Sequence, residues 1–337
     1  MAPTNQALTV AVTGPTGTFG FGLLPLLEAD DRIDRVIGIA RRPFDPDEHG
    51  WTKLEYRQGD VRDPEALTEA FTGADVVVHL AFLIAGNASD QVRHEINVEG
   101  TVNAFRAAAA GGATRFVYAS SVAAYGFHAD NPIGMTEDWP TRPAQMMRYA
   151  QEKAELEEVL VREAEQHPEL DLYRLRPPVV LGPHTLGGKE LLPGPLGQVG
   201  ARLAAALLPL RLPVPALVPD LPLQVIHEDD VGQALLLCIV GAGPSGAYNI
   251  TGDGVLTATE VARALGVAAI PFPGGLVRAA ARTIRRLPVP VPSQVEWVET
   301  LAQPSVLDAT KAKEELGWRP RFTGREALQD TIAHLTT

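Results

Sequence analysis

The chain has 337 residues and a formal charge of −12, with 45% of residues apolar and 21% charged. That balance belongs to a globular protein and not to a disordered one, and the acidic excess opposes phosphate backbones, which argues against a nucleic-acid partner. The length allows one large core, or a nucleotide-binding domain with a smaller appendage.

The opening MAPTNQALTV has no basic stretch leading into an apolar one, and no run reaches the ~18 apolar residues of a membrane span, so the reading expects a cytoplasmic protein with no membrane partner. LTVAVTG (8–14) reads as a strand and FGLLPLLEAD as the helix after it. Between them TGPTGTFG sets Gly14, Gly17 and Gly20 three apart, with Thr18 and Phe19 inside the turn. Glycines there let backbone N–H groups approach a pyrophosphate at the positive end of a helix, although an ordinary strand-to-helix turn has the same look.

RVIGIA (35–40) is the second strand. An NAD site commonly has an acidic residue near this point for the ribose 2′-hydroxyl, whereas here Ala40 is followed by Arg41 and Arg42. Guanidinium groups suit a 2′-phosphate, so NADP(H) is favoured and NAD(H) stays possible; the same arginines also read as plain surface charge. LEYRQGD (54–60), DVVVHLA (75–81) and RFVYASS (115–121) follow as strands, DPEALTEAFTG and NVEGTVNAFRAAAAGG as helices, with Asp63 before Pro64 as a cap and first-turn proline. This alternation predicts a parallel, doubly wound sheet.

QMMRYAQEKAELEEVL has strong helical spacing and puts Tyr149 and Lys153 four apart, on one face. A phenol with an ordinary pKa is a poor acid–base catalyst near neutrality, and a lysine ammonium beside it, together with a positive nicotinamide, is expected to lower that pKa. Tyr149 would then exchange a proton with a substrate oxygen while hydride moves, and Ser121, at the end of a strand, would orient the same oxygen. By spacing alone the pair is also what a surface helix produces.

DLYRLRPPVVLG (171–182) predicts a sixth strand. From 183 to 222 the chain turns to Leu, Pro, Ala and Gly, which suits a core helix pair or a lid over an apolar ligand. VIHEDDVGQALLLCI (225–239) resumes the earlier style, with Asp229 or Asp230 as helix cap and Cys238 as a buried thiol outside any disulfide, and GAYNITG (246–252) reads as a returning strand. Arg278, Arg282, Arg285 and Arg286 read as a solvated helix face, His128 and His184 as loop histidines near the cleft, and no metal is expected.

TGPTGTFG, GDVRD, HLA, NVEGT, SSVAAYG, YAQEK, VIHEDDV, YNI and the final LGW together resemble the extended short-chain dehydrogenase/reductases, the NAD-dependent epimerase/dehydratase group, over essentially the whole length. The resemblance implies Asp60 and Val61 flanking the adenine, Leu80 and Ala81 beside the cofactor backbone, Asn97 on the active-site floor and Pro178 beside the cofactor. It implies Ser121, Tyr149 and Lys153 as the catalytic set and a homodimer through the helices after strands four and five. It further implies an α/β Rossmann-type doubly wound parallel sheet with a smaller, mostly helical C-terminal substrate domain. The cofactor domain would span 1–182, with 225–252 returning to it, and the substrate domain 183–224 and 253–337.

Two departures bear on the substrate. Sugar-nucleotide members typically read RYFNVYGP where this chain reads RPPVVLGP, so Val179 replaces an asparagine, and Leu223 stands where an arginine is common. Without those diphosphate contacts the expected substrate is small and largely uncharged: a ketone, aldehyde, lactol or alicyclic alcohol. Two other readings stand beside this one, a nucleotide-sugar epimerase or dehydratase with tightly held NAD, and a catalytically silent dinucleotide sensor.

Overall fold

A computed structural model of the chain describes residues 7–84, 88–143, 147–185, 214–265, 267–273, 303 and 305–335. In β1 (Leu8–Thr13) Val10 and Val12 face one side of the sheet and Ala11 the other, all three fully buried. Val76, Val77 and Val78 of β4 (Val76–His79) repeat the pattern. A strand buried on both faces needs a helical layer on each, which is the condition of a parallel sheet.

Five more strands complete that sheet: β2 (Ile33–Ala40), β3 (Leu54–Gln58), β5 (Arg115–Ala119), β6 (Asp171–Arg176) and β11 (Gly246–Asn249). The order is β11-β6-β5-β4-β1-β2-β3 and every pairing is parallel. The order reverses between β1 and β4, and the crevice beyond their carboxyl ends is where such sheets receive a ligand.

Helix α1 (Thr18–Ala29) and the helix Glu228–Ile239 cover one face through Leu23, Leu27, Leu235 and Cys238. On the other lie α2 (Pro64–Phe71), α4 (Gly100–Gly111) and α5 (Arg148–Gln166), contributing Phe71, Phe105, Leu156 and Leu160. A short helix α3 (Asp90–His94) runs into α4 through one π-type turn, Glu95–Glu99. On the first face the helices touch backbone to backbone: a methyl on Gly22 would fall 2.2 Å from the Glu228 carbonyl oxygen, and one on Gly232 would fall 2.0 Å from that of Gly22.

Asp63 caps α2 as its sequence predicts, accepting from the Ala66 N–H at 3.0 Å. The cap at Glu228 differs from expectation: His227 accepts from the Asp229 N–H, while Asp230 is drawn away to accept from Arg321 and Phe322. The strand expected over 171–182 is two, β6 and β7 (Val179–Leu181), because Pro177 and Pro178 lack N–H groups to continue the ladder. Strand β7 pairs with β10 (Val225–His227) instead.

Within the apolar 183–222 segment, residues 186–213 lie outside the described ones. The stretch after them is a strand, β8 (Val214–Asp220), parallel to β13 (Val267–Pro273), and not a helix. A third strand pair joins β9 (Pro222–Leu223) to β12 (Leu256–Thr257), and the described C-terminal helices are Ala258–Ala264, Thr310–Glu315 and Gly324–Leu335. The arginines at 278–286 lie outside the described residues. Cys238 is fully buried and unpaired. Among the described residues no helix is long and apolar enough to cross a membrane.

Candidate active site

The chain leaves β1 through Gly14, whose φ of +69° lies in the left-handed region. A side chain there would also come within 2.8 Å of the Ala81 backbone. Ala81 follows β4, and its N–H donates to the Thr13 hydroxyl at 3.3 Å, tying the two strand ends together at the crevice. Gly20 packs on Pro15, where a Cβ would fall 1.9 Å from the carbonyl oxygen. Gly17 has no such neighbour, since a Cβ there meets nothing closer than 3.5 Å. Next, α1 starts with no capping side chain and no acidic residue in its first turn. Its positive end and unfilled N–H groups therefore lie where Gly14, Gly17, Thr18 and Phe19 line a cavity, an arrangement that accepts an anion.

That cavity holds about 530 Å³. Ser121, Tyr149, Lys153, Leu80 and Pro178 line it as well, so the glycine turn and the three expected catalytic residues share one space. Ser121 follows β5, and its hydroxyl accepts from the Ala123 N–H at 3.1 Å while also bonding the Tyr149 phenol. Lys153, 3% exposed, donates to the Ala119 carbonyl at 2.7 Å and to the Tyr118 hydroxyl at 3.0 Å. Its ammonium lies 3.8 Å over the centre of the Phe82 ring and 5.9 Å from that of Tyr149.

Burial dominates the electrostatics. It pushes Lys153 down to about 7 against the opposing pull of Glu157 and Glu152. His79 of β4, between the Thr13 and Thr101 hydroxyls at 2.8 and 3.0 Å, is lowered to about 3 by burial and then by the Lys153 charge, so it is neutral. The Tyr149 phenol moves opposite to the sequence-based expectation: burial raises it above its ordinary value, and the Ser121 hydrogen bond offsets only part of that. The protein's own groups do not supply a lowered phenol.

Seven expected cofactor residues lie away from the cavity lining, Gly20 on Pro15 among them. Arg41 and Arg42 are exposed just past β2, with Arg41 held by its main-chain oxygen on Gln58 Nε2 at 2.9 Å and Arg42 by its own on the Tyr56 hydroxyl. Among the described residues neither guanidinium has an ion pair. Asp60, beyond β3, is gripped by Arg62 through Nε at 3.1 Å and Nη2 at 2.7 Å, and buried Val61 packs on Gly100. Ala81 sits behind Gly14. Asn97, in the π-type turn, is fully buried and braces the wall: it accepts from the Leu83 N–H at 2.7 Å and donates to the Leu83 carbonyl at 3.1 Å and to Glu152 at 2.7 Å.

Neither histidine near the cleft lines it. His184 bonds Glu228 at 2.6 Å and stacks on Phe21 at 4.3 Å, while His128 sits in the loop beside Gly126. Phe82, Tyr118 and Glu157 escaped the sequence reading. Only Glu157 left a signal there, repeating the four-residue spacing of Tyr149 and Lys153 once more along α5.

Val179 and Leu223 both line the cavity, with Phe127, Met147 and Val122. Among the described lining residues Lys153 is the only charged one.

An uncharacterised protein of Mycobacterium tuberculosis is 28% identical over 330 residues, spanning 95% of this chain and 82% of that one. A 4-epimerase of Escherichia coli O157:H7, named for N-acetyl-glucosaminyl-diphospho-undecaprenol, is 35% identical over 199 residues, 57% of this chain and 56% of its own. Among solved structures, the UDP-glucose 4-epimerase of Thermus thermophilus in complex with NAD superposes with a TM-score of 0.70 at 25% identity, covering 98% of this chain and 99% of that one. The family model for the NAD dependent epimerase/dehydratase family matches residues 10–250, the span that carries the glycine turn, Ser121, Tyr149 and Lys153. On that match the chain belongs to the NAD dependent epimerase/dehydratase family.

Proposed function

We propose that the protein is an NADP(H)-dependent oxidoreductase that interconverts a carbonyl and a hydroxyl on a small, largely apolar substrate. The carrying observation is the cavity wall: Lys153 is its sole charged residue among those described, and Val179 and Leu223 line it where the resemblance to sugar-nucleotide members implies an asparagine and an arginine. Its volume of about 530 Å³ lies within the roughly 300–1,000 Å³ of ligand pockets. In this reading 183–224 and 253–337 form the substrate side, which Leu223, Gln303 and Ser305 on the lining support.

A dinucleotide fits the residues present. The uncapped start of α1 and the open space at Gly17 suit a pyrophosphate, and the exposed arginines past β2 suit a 2′-phosphate. When bound, NADP(H) supplies or accepts the hydride. Ser121 orients the reacting oxygen, Tyr149 gives it a proton on reduction or takes one on oxidation, and Lys153 stabilises the phenolate. Since burial holds the phenol up, the positive charge of an oxidised nicotinamide has to add to that of Lys153.

A second reading follows the relatives, two of which are named 4-epimerases, one of them solved with NAD: a nucleotide-sugar epimerase that returns the hydride to the same molecule. Purified protein separates the two. The first predicts cofactor lost on gel filtration, a larger thermal shift with NADP+ than with NAD+, and loss of that difference in Arg41→Ala. Retained NAD with stabilisation by a UDP-sugar overturns it.

A further inference from the structure

Glu157 stands eight residues after Tyr149 and four after Lys153, on the same face of α5. It is 2% exposed, and all four hydrogen bonds to its carboxylate come from outside the helix. One oxygen accepts from the Ser120 hydroxyl at 2.6 Å and from Arg176 Nε at 2.8 Å. The other accepts from Arg176 Nη2 at 2.9 Å and from Arg174 Nη1 at 2.6 Å. Ser120 immediately precedes Ser121, and both arginines sit on β6.

We propose that Glu157 is a positioning residue for the Tyr149, Lys153 and Ser121 set: one carboxylate ties the β5 end that carries Ser121 to the helix that carries Tyr149 and Lys153, and its charge favours the ammonium form of Lys153. The inference rests on the catalytic reading of that set given above. Burial alone would push the Glu157 carboxyl up, but the Arg176 hydrogen bonds, the charges of Arg176 and Arg174 and the Ser120 hydroxyl bring it down to about 2, so it stays ionised.

The groups facing Lys153 are few. Glu152 and Glu157 come from its own helix, neutral His79 from β4 and the Tyr118 hydroxyl from β5, with Phe82 and Tyr149 completing the surround. Glu152 is shared with Asn97 at 2.7 Å, and of the two carboxylates Glu157 acts on Lys153 more strongly. Neutralising Glu157 removes the stronger of the two attractions on Lys153 and leaves Arg174 and Arg176 without their carboxylate partner. A carboxylate that served only to pin β6 to α5 would leave the lysine titration where it is.

The experiment is an NMR titration of the full-length chain labelled at lysine Cε, which holds five lysines, with Lys153 assigned by Lys153→Met. Wild-type Lys153 should titrate near about 7. Glu157→Gln should lower that midpoint by about one unit, and Glu157→Asp, which keeps the charge one methylene further back, by a smaller amount in the same direction. A folded Glu157→Gln protein with the wild-type midpoint overturns the proposal. Should Glu157→Gln not fold, an unmoved or raised midpoint in Glu157→Asp does the same. The titration needs no substrate. A null result there beside loss of turnover in Tyr149→Phe would remove this inference alone, and a shifted midpoint beside unchanged turnover would remove the catalytic reading and with it the positioning role, leaving Glu157 only as a partner of the Lys153 charge.

Discussion

In the folded chain burial places Lys153 at about 7, against its ordinary 10.5, so between those values the unfolded chain binds more protons. Stability linked to this group is fully present above 10.5 and is lost as pH falls to about 7. The melting temperature of wild type relative to Lys153→Met should therefore rise with pH across that window; a difference that stays flat contradicts a lysine lowered by burial. Tyr149 and Lys153 were legible as neighbours because a covalent spacing of four on a helix survives into any fold, and Ser121 because it follows the end of a strand that the apolar run marks. Glu157 continues the same stripe, but its partners come from β5 and β6, and strand register is not written in a single sequence. The direction of the Tyr149 shift was hidden for a related reason: spacing names the neighbour, but only the packed structure sets the depth of burial.

At the level of elements, the contact between Gly22 on α1 and Gly232 on the helix Glu228–Ile239 positions the end of α1 that lines the cavity. A methyl on Gly22 meets carbonyl backbone at 2.2 Å, which cannot move aside as a side chain can. Gly22→Ala is expected to cost about 1–3 kcal/mol, read from urea denaturation, and a neutral substitution would mean the helices are further apart than described. These glycines carried no sequence signal beyond composition, because the approach joins residues some two hundred positions apart. The strands β1 to β5 were legible, since runs buried on both faces stay apolar throughout. The split at Pro177 was missed although prolines mark it, because VVLG continued the apolar run. The Glu228 cap was misassigned to aspartates because Asp230 had a distant partner near Phe322.

For the whole molecule, the seven-stranded sheet and the family followed from the order of motifs along the chain, while the outer strand pairs did not. Strands β8 and β13 unite segments about fifty residues apart whose proline content reads as loop or helix end. Cofactor choice also belongs to this scale, since Arg41 and Arg42, the proposed 2′-phosphate contacts, lie past β2 and away from the cavity that Tyr149 lines. Gly17→Ala is expected to melt like wild type, because its Cβ has room, yet to lose most of the thermal shift given by NADP+; a retained shift would place the pyrophosphate elsewhere. The proposed activity is hydride exchange with an outside carbonyl under the control of Tyr149. Its most direct test is the steady-state rate of NADPH oxidation by small apolar ketones and aldehydes, in wild type and in Tyr149→Phe. Turnover should fall about 100-fold or more in the variant while NADPH still binds. An equal rate in both proteins, or conversion of a UDP-sugar with no net NADPH oxidation, would contradict it.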